Sequence, residues 1–470
     1  MLFNSLAFLL FFPVVTVIYW VLDNKWRNMF LLIASYFFYM NWKPGYAFLI
    51  LFSTVTTWFC GIKIHEDESR KKMWLVICLV ANISLLFIFK YLNFFTESTF
   101  AFLEILGLRM CVPHFDILLP VGISFYTFQA VGYTIDVYRN SIESERNFIT
   151  YALFVSFFPQ LVAGPIERAR NLLPQFKKEH LFNGDDVIEG FKLMIWGYFM
   201  KLCIAENVSS YVDAVYNNLP NHTGTSIWLA TFFFTFQIFC DFGGYSLIAI
   251  GTARCLGFKL MQNFNHPYLS TSIRDFWHRW HISLSTWFGE YVYIPLGGSR
   301  CSETKHQRNL LLTMLISGVW HGANWTFICW GGLHGLLLCL NSMKNKIFHF
   351  RLNKFLIARL CSILLTFFVV MMCWVFFRSN TLGDAVMAFK KMFTDFGQLF
   401  NGEGKPALLL SFVLILLLML KEVKDEFGFG RIRFMHSSNK LVSVVSTAGI
   451  IVLILLCGSF NGGQFIYFQF

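Results

Sequence analysis

Apolar stretches long enough to cross a lipid bilayer recur along the whole of this chain of 470 residues. A helix needs about 20 predominantly apolar residues to span the hydrocarbon core. Backbone polar groups in lipid must be satisfied within the segment, so such stretches fold as helices. We predict about ten to twelve transmembrane helices from the apolar stretches at residues 2–22, 28–42, 47–64, 73–89, 117–137, 148–162, 187–204, 227–256, 309–340, 355–377, 407–420 and 441–457.

The composition agrees with an all-α polytopic membrane protein. Hydrophobic residues make up 56% of the chain and charged residues only 14%, well outside the averages of soluble domains. No Ser-rich or Pro-rich linker and no repeat of fixed period interrupts the apolar runs, so we predict a single membrane domain over residues 1–470. The first stretch has no basic residue ahead of it and no small-residue cleavage site, which favours a retained helix over a secretory signal.

Positive charges and cysteines fit the same class of protein. The net charge of +11 comes from lysines and arginines scattered among the loops, where they mark cytoplasmic ends, and this argues against a nucleic-acid partner. The basic loop 63–72 is predicted to face the cytosol, which places the N-terminus outside after three crossings. The twelve cysteines lie mostly in apolar runs and form no CxxC pair, so no zinc or redox motif is indicated.

Three ionisable residues interrupt apolar surroundings in the centre of the chain: Asp241 in QIFCDFGGYS, His281 in WHRWHISLSTWF and His321 in GVWHGANWTF. An ionisable side chain at bilayer depth costs about 2.5–3.5 kcal/mol on insertion scales. Each of the three therefore requires a partner or a function.

Each of these residues has a structural interpretation beside a functional one. Asp241 either pins a broken helix next to Gly243 and Gly244 or contacts a substrate. His281 belongs either to an aromatic belt at the headgroups or to a reaction centre. His321 is either a satisfied core histidine or a catalytic base, near mid-depth if its run of residues 309–340 is one helix.

Other chemistries lack support in the sequence. His278 and His281 are three apart, whereas zinc-binding helices use histidines four apart with a third ligand, so no metal site is predicted. No GxSxG elbow, Walker lysine loop or kinase signature is present. A buried imidazole is kept neutral by desolvation and can accept a proton, which describes a general base that activates a hydroxyl group.

The chain resembles the membrane-bound O-acyltransferase family, in particular its bacterial polysaccharide O-acetyltransferase branch. Five motifs in family order carry the resemblance, and they define a motif-bearing core of about residues 119–341. WHRWHISLSTWF and the ending FIYFQF at residues 465–470 favour the acetyl branch. The motifs are LPVGISFYTFQAVGYTIDVYR (119–139), FFPQLVAGPIERA (157–169), QIFCDFGGYSLIAIG (237–251), NFNHPYLSTSIRDFWHRWHISLSTWFGEYVYIPLGGSR (263–300) and GVWHGANWTFICWGGLHG (318–335).

The resemblance implies short re-entrant or interfacial helices around a central tunnel, and an acyl group that arrives from a cytosolic thioester donor. It implies that His321 is the catalytic histidine and that His281 is a second residue of the reaction centre. Neighbouring motif residues and the aspartate become candidates for contacting substrate or lining the tunnel: Trp280, Ser283, Asn324, Trp325 and Asp241.

The resulting hypothesis is a multi-pass enzyme of the bacterial inner membrane that binds no cofactor. It moves acetyl groups from acetyl-CoA toward an envelope or secreted polysaccharide, together with an extracytoplasmic partner protein that accepts acetyl. The alternatives are D-alanyl transfer to teichoic acid, acylation of a lipid or protein with long chains, and a transporter without chemistry, for which polar residues at mid-depth are equally expected.

Overall fold

The structure, a computed structural model, describes residues 1–108, 112–162, 164–347, 356–428 and 434–460. Within these residues all regular structure is helical and no strand is found. This confirms the predicted all-α class. The ending at 465–470, which favoured the acetyl branch, lies outside the described residues.

The helices cover most of the described chain. They are α1 (Leu6–Val21), α2 (Asn24–Met40), α3 (Ala47–Glu66), α4 (Lys71–Leu86), α5 (Leu92–Ile105), α6 (Ile123–Tyr138), α7 (Phe148–Ser156), α8 (Phe158–Leu161), α9 (Ala169–Lys177), α10 (Gly184–Tyr198), α11 (Glu206–Tyr216), α12 (Gly224–Cys255), α13 (Ile273–Arg279), α14 (Ile282–Phe288), α15 (Glu303–His321), α16 (Trp325–Ile347), α17 (Leu356–Arg378), α18 (Leu382–Thr394), α19 (Lys405–Phe427) and α20 (Lys440–Cys457).

Three segments of wider π geometry continue α-helices, at Phe87–Tyr91, Phe199–Ala205 and Gly289–Tyr293. Such segments are uncommon and often lie at functional sites. Short 3-10 turns occupy Pro44–Tyr46, Leu219–Asn221, Pro267–Leu269 and Phe434–His436.

Seven helical segments of the described chain are long and apolar enough to cross a membrane, and two shorter apolar helices, Leu6–Val21 and Phe148–Leu161, accompany them. Other predicted stretches form helices of 15–17 residues, at or just below the shortest length that spans a membrane. The protein is therefore polytopic. The seven segments are Pro44–Glu66, Lys71–Ile105, Gly224–Cys255, Trp325–Met343, Leu356–Arg378, Lys405–Phe427 and Lys440–Cys457.

The chain forms two compact units. The first comprises Met1–Gly190 with Ala249–Met261, and the second comprises Phe191–Ile248 with Gln262–Phe470. The single domain over residues 1–470 and its core at 119–341 stay predictions.

Polar side chains join the helices inside the first unit. The Ser53 hydroxyl on α3 donates to Asn82 Oδ1 on α4 over 2.6 Å. The Tyr151 hydroxyl on α7 donates to Thr57 Oγ1 on α3 over 2.7 Å. Because these groups are buried, each pairing removes the cost of leaving a polar atom unsatisfied in an apolar interior.

In the second unit, the predicted run of residues 309–340 is not one helix. α15 ends at His321 and α16 begins at Trp325, so the run forms two helices joined by a short turn. Asn324 stabilises the start of α16, because its Oδ1 accepts from the Thr326 N–H over 3.0 Å. The turn places His321 at a helix end rather than in the middle of a continuous span.

The two helices of this hairpin pack closely because glycines face each other. A Cβ atom on Gly331 would contact the Met314 carbonyl oxygen and would lie 3.1 Å from Gly318 Cα. A Cβ atom on Gly318 would contact the Phe327 carbonyl oxygen. The backbones therefore approach as they do in small-residue contacts between membrane helices, and this fixes the end of α15.

Candidate active site

His321 is the last residue of α15 and is 2% exposed. Its ring meets the edges of Trp330 on α16 and Phe377 on α17, with centroid distances of 4.9 Å and 5.4 Å. The C-terminal end of a helix carries partial negative charge from carbonyl groups that have no helical partner, and this charge stabilises a nearby cation. The position therefore suits an imidazole that takes up a proton during a reaction.

His281 precedes α14 and is completely buried. The aromatic residues around it enclose it in the protein interior, and its place in a headgroup belt or in a reaction centre stays a prediction. Its ring meets the Phe242 ring edge-on with the centroids 4.5 Å apart. Burial lowers the pKa of His281, which lies outside the candidate spans, to about 3, so its imidazole is neutral at physiological pH.

The backbone at His281 is also unusual. Its φ angle is +43°, in the left-handed region that costs a residue with a Cβ atom about 1 kcal/mol or more. The turn lies between α13 and α14, so His278 at the exposed end of α13 shares no helix with His281. Strained backbone of this kind persists where surrounding structure fixes it, and it is frequent at functional sites.

Trp320 lies against both histidines. Its ring centroid is 5.0 Å from that of His321 and 6.1 Å from that of His281. The structure thus brings together the two histidines that were predicted from separate motifs. They share one buried aromatic cluster, from which bulk water is largely excluded.

Asp241 does not lie in a broken helix. α12 continues through Gly243 and Gly244. The hypothesis that Asp241 pins a broken helix is therefore wrong. Gly244 instead permits close approach of α10, since a Cβ atom there would lie 2.6 Å from the Gly197 carbonyl oxygen. Asp241 accepts from the Lys201 ammonium over 2.6 Å.

Trp280 and Ser283 flank His281 and are both buried. The Trp280 ring packs on Phe264 at 5.0 Å and on Trp374 at 5.1 Å, which makes it part of the aromatic cluster. The Ser283 N–H donates to Asn263 Oδ1 over 3.3 Å. Contact of either residue with substrate stays a prediction.

Asn324 and Trp325 lie in the turn after His321. Asn324 caps α16 and its Nδ2 donates to the Asn380 carbonyl oxygen over 2.8 Å, so its side chain holds the turn in place. Trp325 is 52% exposed. Both remain predicted rather than demonstrated as tunnel residues.

Several residues in or near the candidate site were not predicted from the sequence. Trp330 and His334 stand in the quoted motif at residues 318–335, but an apolar helix gave no reason to select them. Lys201 and Trp374 are separated from their contacts by 40 or more residues of sequence and gave no local signal.

Comparison with known proteins gives matches to one family. The sequence profile of the membrane-bound O-acyltransferase family matches residues 139–383, slightly more than half of the chain. The chain is 39% identical over 398 residues to a Pseudomonas aeruginosa protein named probable alginate O-acetylase AlgI, covering 84% of this chain and 75% of that protein.

Two further relatives carry different names. The Helicobacter pylori peptidoglycan O-acetyltransferase is 37% identical over 432 residues, covering 83% of this chain and 80% of that protein. The Bacillus subtilis teichoic acid D-alanyltransferase is 29% identical over 247 residues, covering 50% and 61%. The chain therefore belongs to the membrane-bound O-acyltransferase family of multi-pass membrane enzymes.

Proposed function

We propose that this protein transfers acetyl groups from cytosolic acetyl-CoA across the membrane for the O-acetylation of an envelope or secreted polysaccharide. The observation that carries the proposal is identity of 37–39% over more than four-fifths of the chain to proteins named for O-acetylation of alginate or peptidoglycan. The relatives named for teichoic acid D-alanylation match only about half of the chain, at below 30% identity.

His321 acts as the general base in this proposal. The hydroxyl group that attacks the thioester loses its proton, and His321 accepts it. The carbonyl end of α15 stabilises the imidazolium that forms. The edges of Trp330 and Phe377 fix the ring so that no reorientation is needed during the transfer.

His281 orients a substrate in this proposal and does not exchange protons. A neutral imidazole offers one hydrogen-bond donor and one acceptor, which suits it to holding a thioester or a sugar hydroxyl. The Phe242 ring, edge-on at a centroid distance of 4.5 Å, restricts the directions that the His281 ring can take. In this proposal His321 transfers the proton and His281 positions the substrate.

The buried aromatic cluster excludes bulk water and so limits hydrolysis of the thioester before the acceptor arrives. In this proposal an extracytoplasmic partner protein accepts the acetyl group for the polysaccharide, and the enzyme resides in the inner membrane of a bacterium. A tunnel between the two membrane faces would let acetyl-CoA remain cytosolic.

The test uses purified protein in sealed vesicles with radiolabelled acetyl-CoA on one side, and with alginate or peptidoglycan fragments and a periplasmic extract that supplies the partner protein on the other. The matched control is H321Q, which retains a hydrogen-bonding side chain of similar size. We expect covalent acetyl on one acceptor with the wild-type protein and almost none with the control. Acceptor that remains unlabelled, while label crosses the membrane, would indicate a transporter and overturn the proposal.

D-alanyl transfer is the second candidate, favoured by the match to teichoic acid D-alanyltransferases of Bacillus subtilis and Streptococcus thermophilus. The same vesicles supplied with a D-alanyl thioester donor and teichoic acid separate the two. A palmitoyl donor tests the long-chain alternative. Activity with D-alanyl or palmitoyl donors and none with acetyl-CoA would replace the proposed function.

A further inference from the structure

One face of α16 carries three buried polar side chains in a row. Thr326, Trp330 and His334 recur at intervals of four residues, which places them one above another on the helix surface. All three are completely buried. Gly331 packs against the middle of α15, whereas the Trp330 ring of this row contacts His321 at the end of α15 and Trp374 on α17.

The tautomer of His334 follows from one hydrogen bond. The Trp277 indole N–H donates to His334 Nδ1 over 3.3 Å. An indole nitrogen only donates, so Nδ1 must be the acceptor and the Nε2 atom of the neutral ring carries the hydrogen. Within the described residues this buried Nε2 has no hydrogen-bond partner.

Two further buried N–H groups without a hydrogen-bond partner in the described residues belong to indole rings next to His334. Trp330 and Trp374 are completely buried, and the Nε1 atom of each has no hydrogen-bond partner in the described part of the chain. Their rings stack with centroids 5.7 Å apart and planes 18° apart. The His334 ring lies 4.9 Å from Trp330 and 6.4 Å from Trp374.

Trp330, His334 and Trp374 therefore form a donor cluster, in which three buried N–H groups have no acceptor among the described residues. Leaving a buried donor unsatisfied is costly, and native proteins pair the great majority of them. Three such groups, on rings whose centroids lie 4.9–6.4 Å apart, offer donors to an acceptor that a ligand would bring. The cluster adjoins His321, whose ring lies 4.9 Å from Trp330.

We propose that the donor cluster binds the carbonyl oxygen of the acyl thioester and stabilises the oxyanion that forms there. This inference rests on the proposed function. The acceptor oxygen bonds to the carbonyl carbon, its proton passes to His321, and the π electron pair of the carbonyl moves onto its oxygen. When that pair returns, the carbon–sulfur bond breaks and the leaving thiolate takes the proton from His321.

The test compares H334M with H334Q in sealed vesicles supplied with radiolabelled acetyl-CoA. Methionine fills similar space without a donor, whereas the amide of glutamine places an N–H near the former Nε2. We expect H334M to lose about 10²–10³-fold in kcat with little change in KM, as removal of an oxyanion donor does elsewhere. H334Q should recover a large part of that loss.

A second variant keeps the test decisive if H334M fails to fold. W374F retains an aromatic ring and removes only the indole N–H, so it should also lower kcat. Its control is W228F, which removes an indole N–H that donates to the Met392 carbonyl oxygen over 2.7 Å and should leave kcat unchanged.

The outcomes separate this proposal from the proposed function. Wild-type vesicles that transfer no acetyl group overturn both. Active wild-type vesicles with fully active H334M or W374F overturn the donor cluster alone. Equal losses in H334Q and H334M would also overturn it, because the donor would then not be what the reaction requires.

Discussion

The Lys201 ammonium lies 2.6 Å from the Asp241 carboxylate, and the two side chains are only 1% and 6% exposed. Lys201 also donates to Glu206 over 3.0 Å. The pair joins the π segment Phe199–Ala205 to α12, one residue before Phe242, whose ring contacts His281. The ion pair thus fixes the position of a residue that borders the candidate site.

We expect K201M to destabilise the protein by about 3–5 kcal/mol, because it leaves the buried Asp241 carboxylate beside the partly buried Glu206 carboxylate without their cation. Combining K201M with D241L should restore most of the loss, since apolar groups tolerate this environment. The control is K63M, which removes an ion pair to Glu66 that is exposed and worth at most about 1 kcal/mol. Thermal unfolding in detergent measures all three, and equal midpoints for K201M and K63M would contradict the prediction.

The contact between α15 and α16 gives a second prediction. G331A should destabilise the hairpin by about 1–3 kcal/mol, because its new Cβ atom meets the backbone of α15, which cannot move aside. G332A is the matched control, since its Cβ atom would meet only Leu315 Cδ2 at an ordinary 3.4 Å. Denaturant unfolding should show a lower midpoint for G331A alone, and an equally unstable G332A would refute the packing argument.

Much of the fold could be predicted because apolar runs in lipid have few options other than helices. The break between His321 and Trp325 could not, because apolar residues continue on both sides and give one uninterrupted pattern. The start of a second helix is marked by the capping hydrogen bond of Asn324. Asparagine also occurs at many positions other than helix caps, so the residue alone does not predict the break.

The sequence motifs identified His281 and His321 as candidate site residues. They did not identify most of the residues that surround the two histidines. Aromatic neighbours of His281 are equally typical of a headgroup belt and of a packed interior, so burial could not be inferred. Lys201 and Asp241 meet across 40 residues of sequence, and such pairing depends on tertiary packing. The same holds for the stacking of Trp330 on Trp374.

The predicted topology can be tested at the basic loop 63–72, which we expect to face the cytosol with the N-terminus outside. S69C places a thiol at an exposed position of this loop. An impermeant maleimide should label it in inverted vesicles and not in spheroplasts, with the wild-type protein as background for the native cysteines. Labelling from outside would reverse the orientation.

His281 gives a prediction about pH. Its pKa of about 3 means that the folded protein binds this proton only in strong acid, so the ring is neutral throughout the neutral range. H281Q should therefore lower kcat by up to about 10²-fold through lost positioning, without moving the acid limb of the pH profile. H278Q, at an exposed histidine three residues away, is the control. A shifted acid limb in H281Q would show that this residue exchanges protons.

His321 gives the last prediction, because its place at the carbonyl end of α15 supports a proton-accepting role. H321A should lose about 10²–10⁴-fold in acyl transfer, the usual worth of a general base, while membrane insertion and abundance stay near normal. H321Q should do no better, since glutamine fills similar space and takes up no proton. The control on the same helix is H306Q, at a partly buried histidine that pairs with the Tyr293 hydroxyl. Polysaccharide acetyl content in cells at matched protein abundance decides the matter, because wild-type acetylation with H321A would make this histidine a structural residue of the aromatic cluster.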